Sequence, residues 1–154
     1  MVGPDCAEIL VKFEGLNVGG SIKTRTAFNM ISDAEAKGLI HKDTIIVEPT
    51  SGNQGIGLAL VGAVKGLKVK IIMPDSVSEE RRKLVRHYGA EVILMHDDGN
   101  IGDCIDRCLK KALEMAKEKY LFGLEICLKY PQQNNTVKRN ISVSYDNLGN
   151  IYKS

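Results

Sequence analysis

An apolar run, Thr44-Ile45-Ile46-Val47, leads through the turn Pro49-Thr50-Ser51-Gly52-Asn53-Gln54-Gly55 into an apolar helix from Ile56 to Val64. This strand–turn–helix unit constrains the fold more than any other part of the chain. Both of its apolar elements must be buried against others, and a parallel sheet with packed helices is the usual solution. Thr, Ser, Gly and Asn also suit a turn that points backbone N–H groups outward. The start of a helix has unpaired donors and the positive end of its dipole. The turn therefore reads as a site for a carboxylate or phosphate.

The same alternation extends over most of the chain. Glu8 to Phe13 reads as a strand, followed by a Gly-rich turn over Gly15 to Gly20. Ser21 is placed to cap a helix from Ile22 to Lys37, with Gly38 as its stop. The helix after the turn runs from Asn53 to Lys65 and is ended by Gly66. Val69 to Met73 is a buried-type strand closed by Pro74. Ser78 begins a charged helix that runs to Tyr88 and stops at Gly89, and Glu91 to Met95 is the next strand. Apolar residues at Ile101, Ile105, Leu109, Leu113 and Ala116 predict a helix from Ile101 to Lys119. The pattern predicts an α/β fold, a parallel sheet flanked by helices on both faces in a three-layer αβα arrangement. It gives one domain over residues 1–119. Residues 120–154 show no sustained period and are expected to form a divergent or poorly ordered tail.

Charge narrows the function. The chain has 21 Lys and Arg against 19 Asp and Glu, a net charge of +2. That balance suits neither a nucleic-acid binder nor a sponge for acidic ligands. Arg81-Arg82-Lys83, with Arg86 and His87, is spread around one helix and partly neutralised by Glu79 and Glu80. It reads as a solvated face, and no aromatic residues interleave with it. No apolar run is long enough to span a membrane. Met1 to Cys6 lacks the blocks of a signal peptide, so a cytoplasmic location is expected. Cys104 and Cys108 share a helical face and read, like Cys6 and Cys127, as reduced thiols. Two thiols do not make a structural zinc site, so no metal is expected. Gly52, Gly55 and Gly57 give G-x-x-G-x-G rather than the dinucleotide fingerprint G-x-G-x-x-G. The second strand also ends in Met73-Pro74 instead of an acidic residue, so that reading is set aside.

A segment upstream, Asn17-Val18-Gly19-Gly20-Ser21-Ile22-Lys23, gives the turn a partner. Together the two segments resemble the fold-type II pyridoxal-phosphate (PLP) enzymes, and most nearly the cysteine synthases (O-acetylserine sulfhydrylases). Met73-Pro74-Asp75, Glu80-Arg81-Arg82-Lys83-Leu84 and Tyr88-Gly89-Ala90-Glu91-Val92 add to the similarity, which covers roughly Glu8 to Lys117. The resemblance implies PLP as cofactor, with Lys23 as the catalytic residue that holds it as a Schiff base and moves the α-proton. It implies that the Asn53 amide bonds the cofactor's ring oxygen, and that Thr50, Ser51, Gly52, Asn53 and Gln54 meet the substrate. Gln54 stands where cysteine synthases commonly have Thr. Gln133, in Pro131-Gln132-Gln133, resembles a glutamine that reaches the substrate, with Asn134 in the place of a family Phe. By spacing alone, Lys23 is an exposed lysine at a helix start and Asn53 a helix N-cap.

The implied activity is cysteine biosynthesis by β-replacement on an O-acetylserine-type substrate with sulfide. The implied partners are a small amino-acid substrate and, as is usual in the family, a second copy of the chain. Chemistry of the cystathionine β-synthase or threonine dehydratase type is the near alternative. Family members are much longer, and their Gly/Thr-rich phosphate loop has no counterpart after Asn100. The second family domain is therefore expected to be absent, and a truncated, catalytically inactive fragment is the contrasting reading.

Overall fold

The computed structural model describes residues 7–116 and 121–122. A single 3₁₀ turn at Glu14–Leu16 precedes helix α1 (Lys23–Ala36). There follow β1 (Ile45–Pro49), α2 (Asn53–Lys65), β2 (Lys68–Pro74), α3 (Glu79–His87), β3 (Glu91–Met95), α4 (Ile101–Ala116) and the two-residue β4 (Leu121–Phe122). The strands lie in the order β3-β2-β1-β4 and every pairing is parallel. Among the described residues β4 meets β1 at Ile45↔Leu121 and Ile46↔Phe122.

The order of strands explains the layers. β1–α2–β2 and β2–α3–β3 step across the sheet in one direction. β3–α4–β4 returns past both to the far side of β1. Crossovers between parallel strands are right-handed, so reversing direction moves the connecting helix to the opposite face. Successive strand residues also point to opposite faces. Ile46, Ile71 and Met73 pack with Ala27, Ile31, Ile56 and Val85 beneath α1, α2 and α3. Val47 and Ile72 pack with Cys104, Cys108 and Ala112 of α4. The three-layer αβα fold expected from the alternation is present. Among the described residues, no helix is long and apolar enough to cross a membrane.

Helix ends follow local chemistry closely. α2 starts and stops where the residues predict, and Gly66 ends it in the left-handed conformation at φ +68°. Helix α1 begins at Lys23, one residue later than expected, with Ile22 and not Ser21 at its N-cap; Ser21 Oγ still accepts the Lys23 N–H at 3.2 Å. Cys104 and Cys108 are free thiols buried in the α4 layer, as their shared face implied. Burial pushes the Cys108 thiol up to about 12, so it stays protonated at physiological pH. Cys6, Cys127 and the weak strand candidates at Val143–Tyr145 and Ile151–Tyr152 lie outside the described residues.

One element differs from expectation. Residues 7–13 form no strand. Ile9, Leu10 and Val11 are each more than 80% exposed, at 85%, 84% and 86%. An apolar run of β-formers becomes a strand only when a neighbouring ladder pairs its backbone and covers a face. Among the described residues this run has no such neighbour.

Candidate functional site

In a doubly wound sheet, ligands bind at the carboxyl ends of the strands where the order of connections reverses. Here that point lies between β1 and β4. The turn Thr50–Gln54 leaves the carboxyl end of β1 there. Four hydrogen bonds fix its course. Thr50 N–H donates to the Ile72 carbonyl at 2.9 Å, extending the β1–β2 ladder by one step. Gly52 N–H donates to Thr50 Oγ1 at 3.2 Å. Gly55 N–H donates to the Gly52 carbonyl at 3.2 Å. Arg81 Nη1 on α3 donates to the Ser51 carbonyl at 3.3 Å. Gly52, with φ −129° and ψ −159°, occupies the N-cap position of α2, and Asn53 is the first helical residue. Asn53 is therefore not the cap that spacing alone suggested. Its side chain is exposed and, among the described residues, has no hydrogen-bond partner.

Lys23 is the first residue of α1 and is half-buried. The chain reaches it through a tight loop. Gly19 and Gly20 have φ of +88° and +74°, a region that residues with a Cβ rarely enter. The Thr24 hydroxyl donates to the Val18 carbonyl, closing the loop on itself. Asn17 Nδ2 donates to the Ser21 carbonyl at 3.3 Å, and Arg25 pairs with Glu14 at 3.1 Å.

Gly57 joins the two halves. A Cβ built on it falls 2.6 Å from the Lys23 carbonyl oxygen and 2.9 Å from the carbonyl carbon. The first turn of α1 thus rests on the backbone of α2. Asn53 and Gly57 are four residues apart, on one helix face and about 6 Å along the axis. The contact therefore places the Lys23 backbone about one helical turn along α2 from the Thr50–Asn53 turn. Sequence reasoning met Gly57 only as part of a failed dinucleotide pattern. The legible signal was its i+4 spacing from Asn53 on the face of α2 that meets α1.

The remaining candidates are placed differently. Gln54 is 7% exposed, and its Nε2 donates to the Met30 sulfur at 3.6 Å. Its Oε1 has no partner among the described residues. Gln54 is thus turned toward α1, whereas Asn53 is exposed. Gln133 lies outside the described residues. Glu48, which the sequence did not single out, is half-buried on β1 just before the turn, and desolvation pushes its carboxyl up to about 7. An apolar groove of about 600 Å³ runs between α1 and α2, lined by Val18, Phe28, Leu60 and Val64 among others. None of the turn residues lines it.

At the neighbouring strand ends, His96 Nδ1 lies 2.8 Å from Asp75 Oδ2, and Asp97 N–H donates to Asp75 Oδ1 at 2.9 Å. The Asp75 bond and charge hold His96 above its ordinary 6.5. The His96 bond and the Asp97 N–H hold Asp75 below its ordinary 3.8. The raised His96 contributes stability that is fully present below 6.5 and fades as pH rises through its folded value. The lowered Asp75 contributes stability present above 3.8 that fades as pH falls through its own. The pair therefore acts across the mildly acidic range between those limits. In an NMR titration, Asp75→Asn is expected to return the His96 midpoint toward 6.5. An unchanged midpoint would show that the contact does not form in solution.

Known proteins share this fold. The family described as pyridoxal-phosphate dependent enzyme matches residues 3–139. A cysteine synthase of Flavobacterium sp. is 55% identical over 111 residues, covering 72% of this chain and 35% of that protein. Cysteine synthase B of Escherichia coli is 44% identical over 112 residues, covering 72% and 37%. The crystal structure of a hydrogen sulfide-producing enzyme from Fusobacterium nucleatum superposes with a TM-score of 0.66 at 53% identity, covering 73% of this chain and 35% of that one. The chain thus spans about a third of the length of these relatives. With the lysine helix, the Thr-Ser-Gly-Asn turn and the doubly wound sheet all in place, this chain belongs to the pyridoxal-phosphate dependent enzyme family and is a relative of the cysteine synthases.

Proposed function

We propose that this chain carries the lysine and carboxylate-binding part of a PLP-dependent β-replacement site, acting on an O-acetylserine-type amino acid with sulfide. The observation that carries the reading is the seating of Lys23 on α2 at Gly57, about one turn from Asn53. The residues fit the cofactor. Lys23 Nζ has no partner among the described residues. Among the described residues nothing lies within 4 Å of a Cβ built on Gly20, which supports room for a flat ring beside the loop that leads to Lys23. When bound, PLP supplies the electron sink that makes the substrate's α-proton acidic.

The chain's own groups do the rest. Lys23 Nζ takes the proton from the α-carbon as a general base. The Thr50 hydroxyl, which already accepts Gly52 N–H, has its own proton to give the substrate's α-carboxylate. The first-turn N–H groups of Asn53 and Gln54 and the positive end of α2 favour the same anion. The Asn53 amide is free to donate to the cofactor's ring oxygen. The Cβ–O bond then breaks and acetate leaves with the electron pair. Hydrosulfide forms the new Cβ–S bond and Lys23 Nζ returns the proton to the α-carbon, so O-acetylserine and hydrosulfide become cysteine and acetate.

The test is to incubate the purified 154-residue chain with PLP, O-acetylserine and sulfide, and to measure cysteine. Cysteine formation that depends on PLP is the expected result. PLP binding without cysteine would move the assignment to other β-carbon chemistry, tested with homocysteine and threonine. No binding at all would leave the inactive-fragment reading standing.

A further inference from the structure

The Ser51–Gly52 peptide group is held at both ends by side chains. Its carbonyl accepts from Arg81 Nη1 at 3.3 Å, and its N–H donates to Thr50 Oγ1 at 3.2 Å. Among the described residues steric contact does not hold it, because nothing lies within 4 Å of a Cβ built on Gly52. A glycine next to a peptide group also lowers the barrier to rotating that group. If the peptide turned over, a carbonyl oxygen would replace an N–H beside Thr50. The Thr50 hydroxyl would then have to donate inward, and its proton would be lost to an incoming carboxylate.

Arg81 is distinct from the rest of its cluster. Lys83 pairs with Glu79 one turn away at 3.0 Å. Arg86 is exposed and has no partner among the described residues. The basic cluster is therefore not a uniform solvated face, since Arg81 reaches across from α3 to the turn after β1. Its guanidinium also brings a positive charge toward the proposed carboxylate site, where charge-assisted bonds are the stronger kind.

We propose that Arg81 is a positioning residue for the Thr50–Asn53 turn, clamping the Ser51–Gly52 peptide so that the Thr50 hydroxyl proton faces the substrate's carboxylate. The consequence for substrate rests on the function proposed above; the clamp itself does not. The test uses the full chain with Arg81→Met, which keeps length and removes the donors, and Arg81→Lys, which restores a charged donor. Arg86→Met removes the same charge from the same helix without touching the turn.

Amide exchange at Gly52, measured by NMR without cofactor, is expected to quicken about tenfold in Arg81→Met. It is expected to recover in part in Arg81→Lys and to stay unchanged in Arg86→Met. Exchange at Gly52 that is unaltered in Arg81→Met overturns the clamp, as does equal quickening in Arg86→Met. With PLP present, KM for O-acetylserine is expected to rise about fivefold or more in Arg81→Met with kcat changed less. A fall in kcat with KM unchanged would assign Arg81 to the chemical step instead. A wild-type chain with no PLP band would remove the function proposal while leaving the exchange result to judge Arg81.

Discussion

Lys23→Ala is expected to abolish the visible absorbance that the wild-type chain develops with PLP, and to leave its fold intact. The two outcomes separate because the lysine side chain does no structural work that the structure records. Its Nζ has no hydrogen-bond or ion-pair partner among the described residues. It sits in the first turn of α1, where alanine is the best helix former. Substitutions away from packing, caps and pairs usually change stability by about 0.5 kcal/mol or less. The proposed bond to the cofactor needs an amine, which alanine lacks. Lys23→Arg, which keeps the charge without the nucleophile, is expected to behave like Lys23→Ala. Spectra and thermal melts of the three proteins decide the matter. A band that survives in Lys23→Ala would place the cofactor on another lysine. A melt that collapses in both variants would make Lys23 structural.

Gly57→Ala is expected to weaken both the fold and the site. The added carbon would fall 2.6 Å from the Lys23 carbonyl oxygen, and the nearest atoms are all backbone. No side chain can swing aside, so α1 must lift from α2. Overpacking of this kind costs about 1–3 kcal/mol, against a gain of about 1 kcal/mol for alanine over glycine inside a helix. The net expectation is a loss of up to about 2 kcal/mol, read as a lower urea midpoint with unchanged slope. Gly55→Ala is the comparison. It gains the same helix propensity, but its Cβ meets side-chain carbons of Thr50 and Ile71 at 2.9 and 3.1 Å, which can shift by tenths of an ångström. Gly55→Ala is thus expected to cost less, and to leave PLP affinity closer to wild type. If Gly57→Ala proved as stable as the wild type, α1 would not be seated on α2 as described, and the placement of Lys23 beside the turn would lose its support.

These cases show which parts of the molecule were legible in its residues. Boundaries set by local chemistry were readable. Asn53–Lys65 was found to the residue because a glycine precedes it, an apolar face runs through it and Gly66 ends it in a conformation that favours glycine. Glu91–Met95 was found because β-formers lie between Gly89 and a polar stretch. Features that depend on a distant neighbour were not. Ile9 to Phe13 has the composition of a strand, but pairing is supplied by tertiary structure and not by composition. Gly57 looks like any glycine in a helix until α1 is laid across it. Arg81 looks like its neighbours Arg82 and Lys83 until α3 is set beside the carboxyl end of β1. Motif reasoning singled out Gln54 by its place in the turn. The direction of its side chain, toward Met30, was fixed by the packing of α1 on α2.

The place of β3 at the edge of the described sheet has a consequence for how the molecule meets its own kind. Among the described residues β3 is bonded on one side only, to β2, so its other side is a bare rim. A bare rim is a template on which a strand from another molecule can add. This one is only five residues long and opens on Glu91, an exposed acidic residue that pairs with Lys70 at 2.9 Å. Both features discourage intermolecular strand addition. The outer strand of the sheet is in this way a poor place for a second backbone to dock.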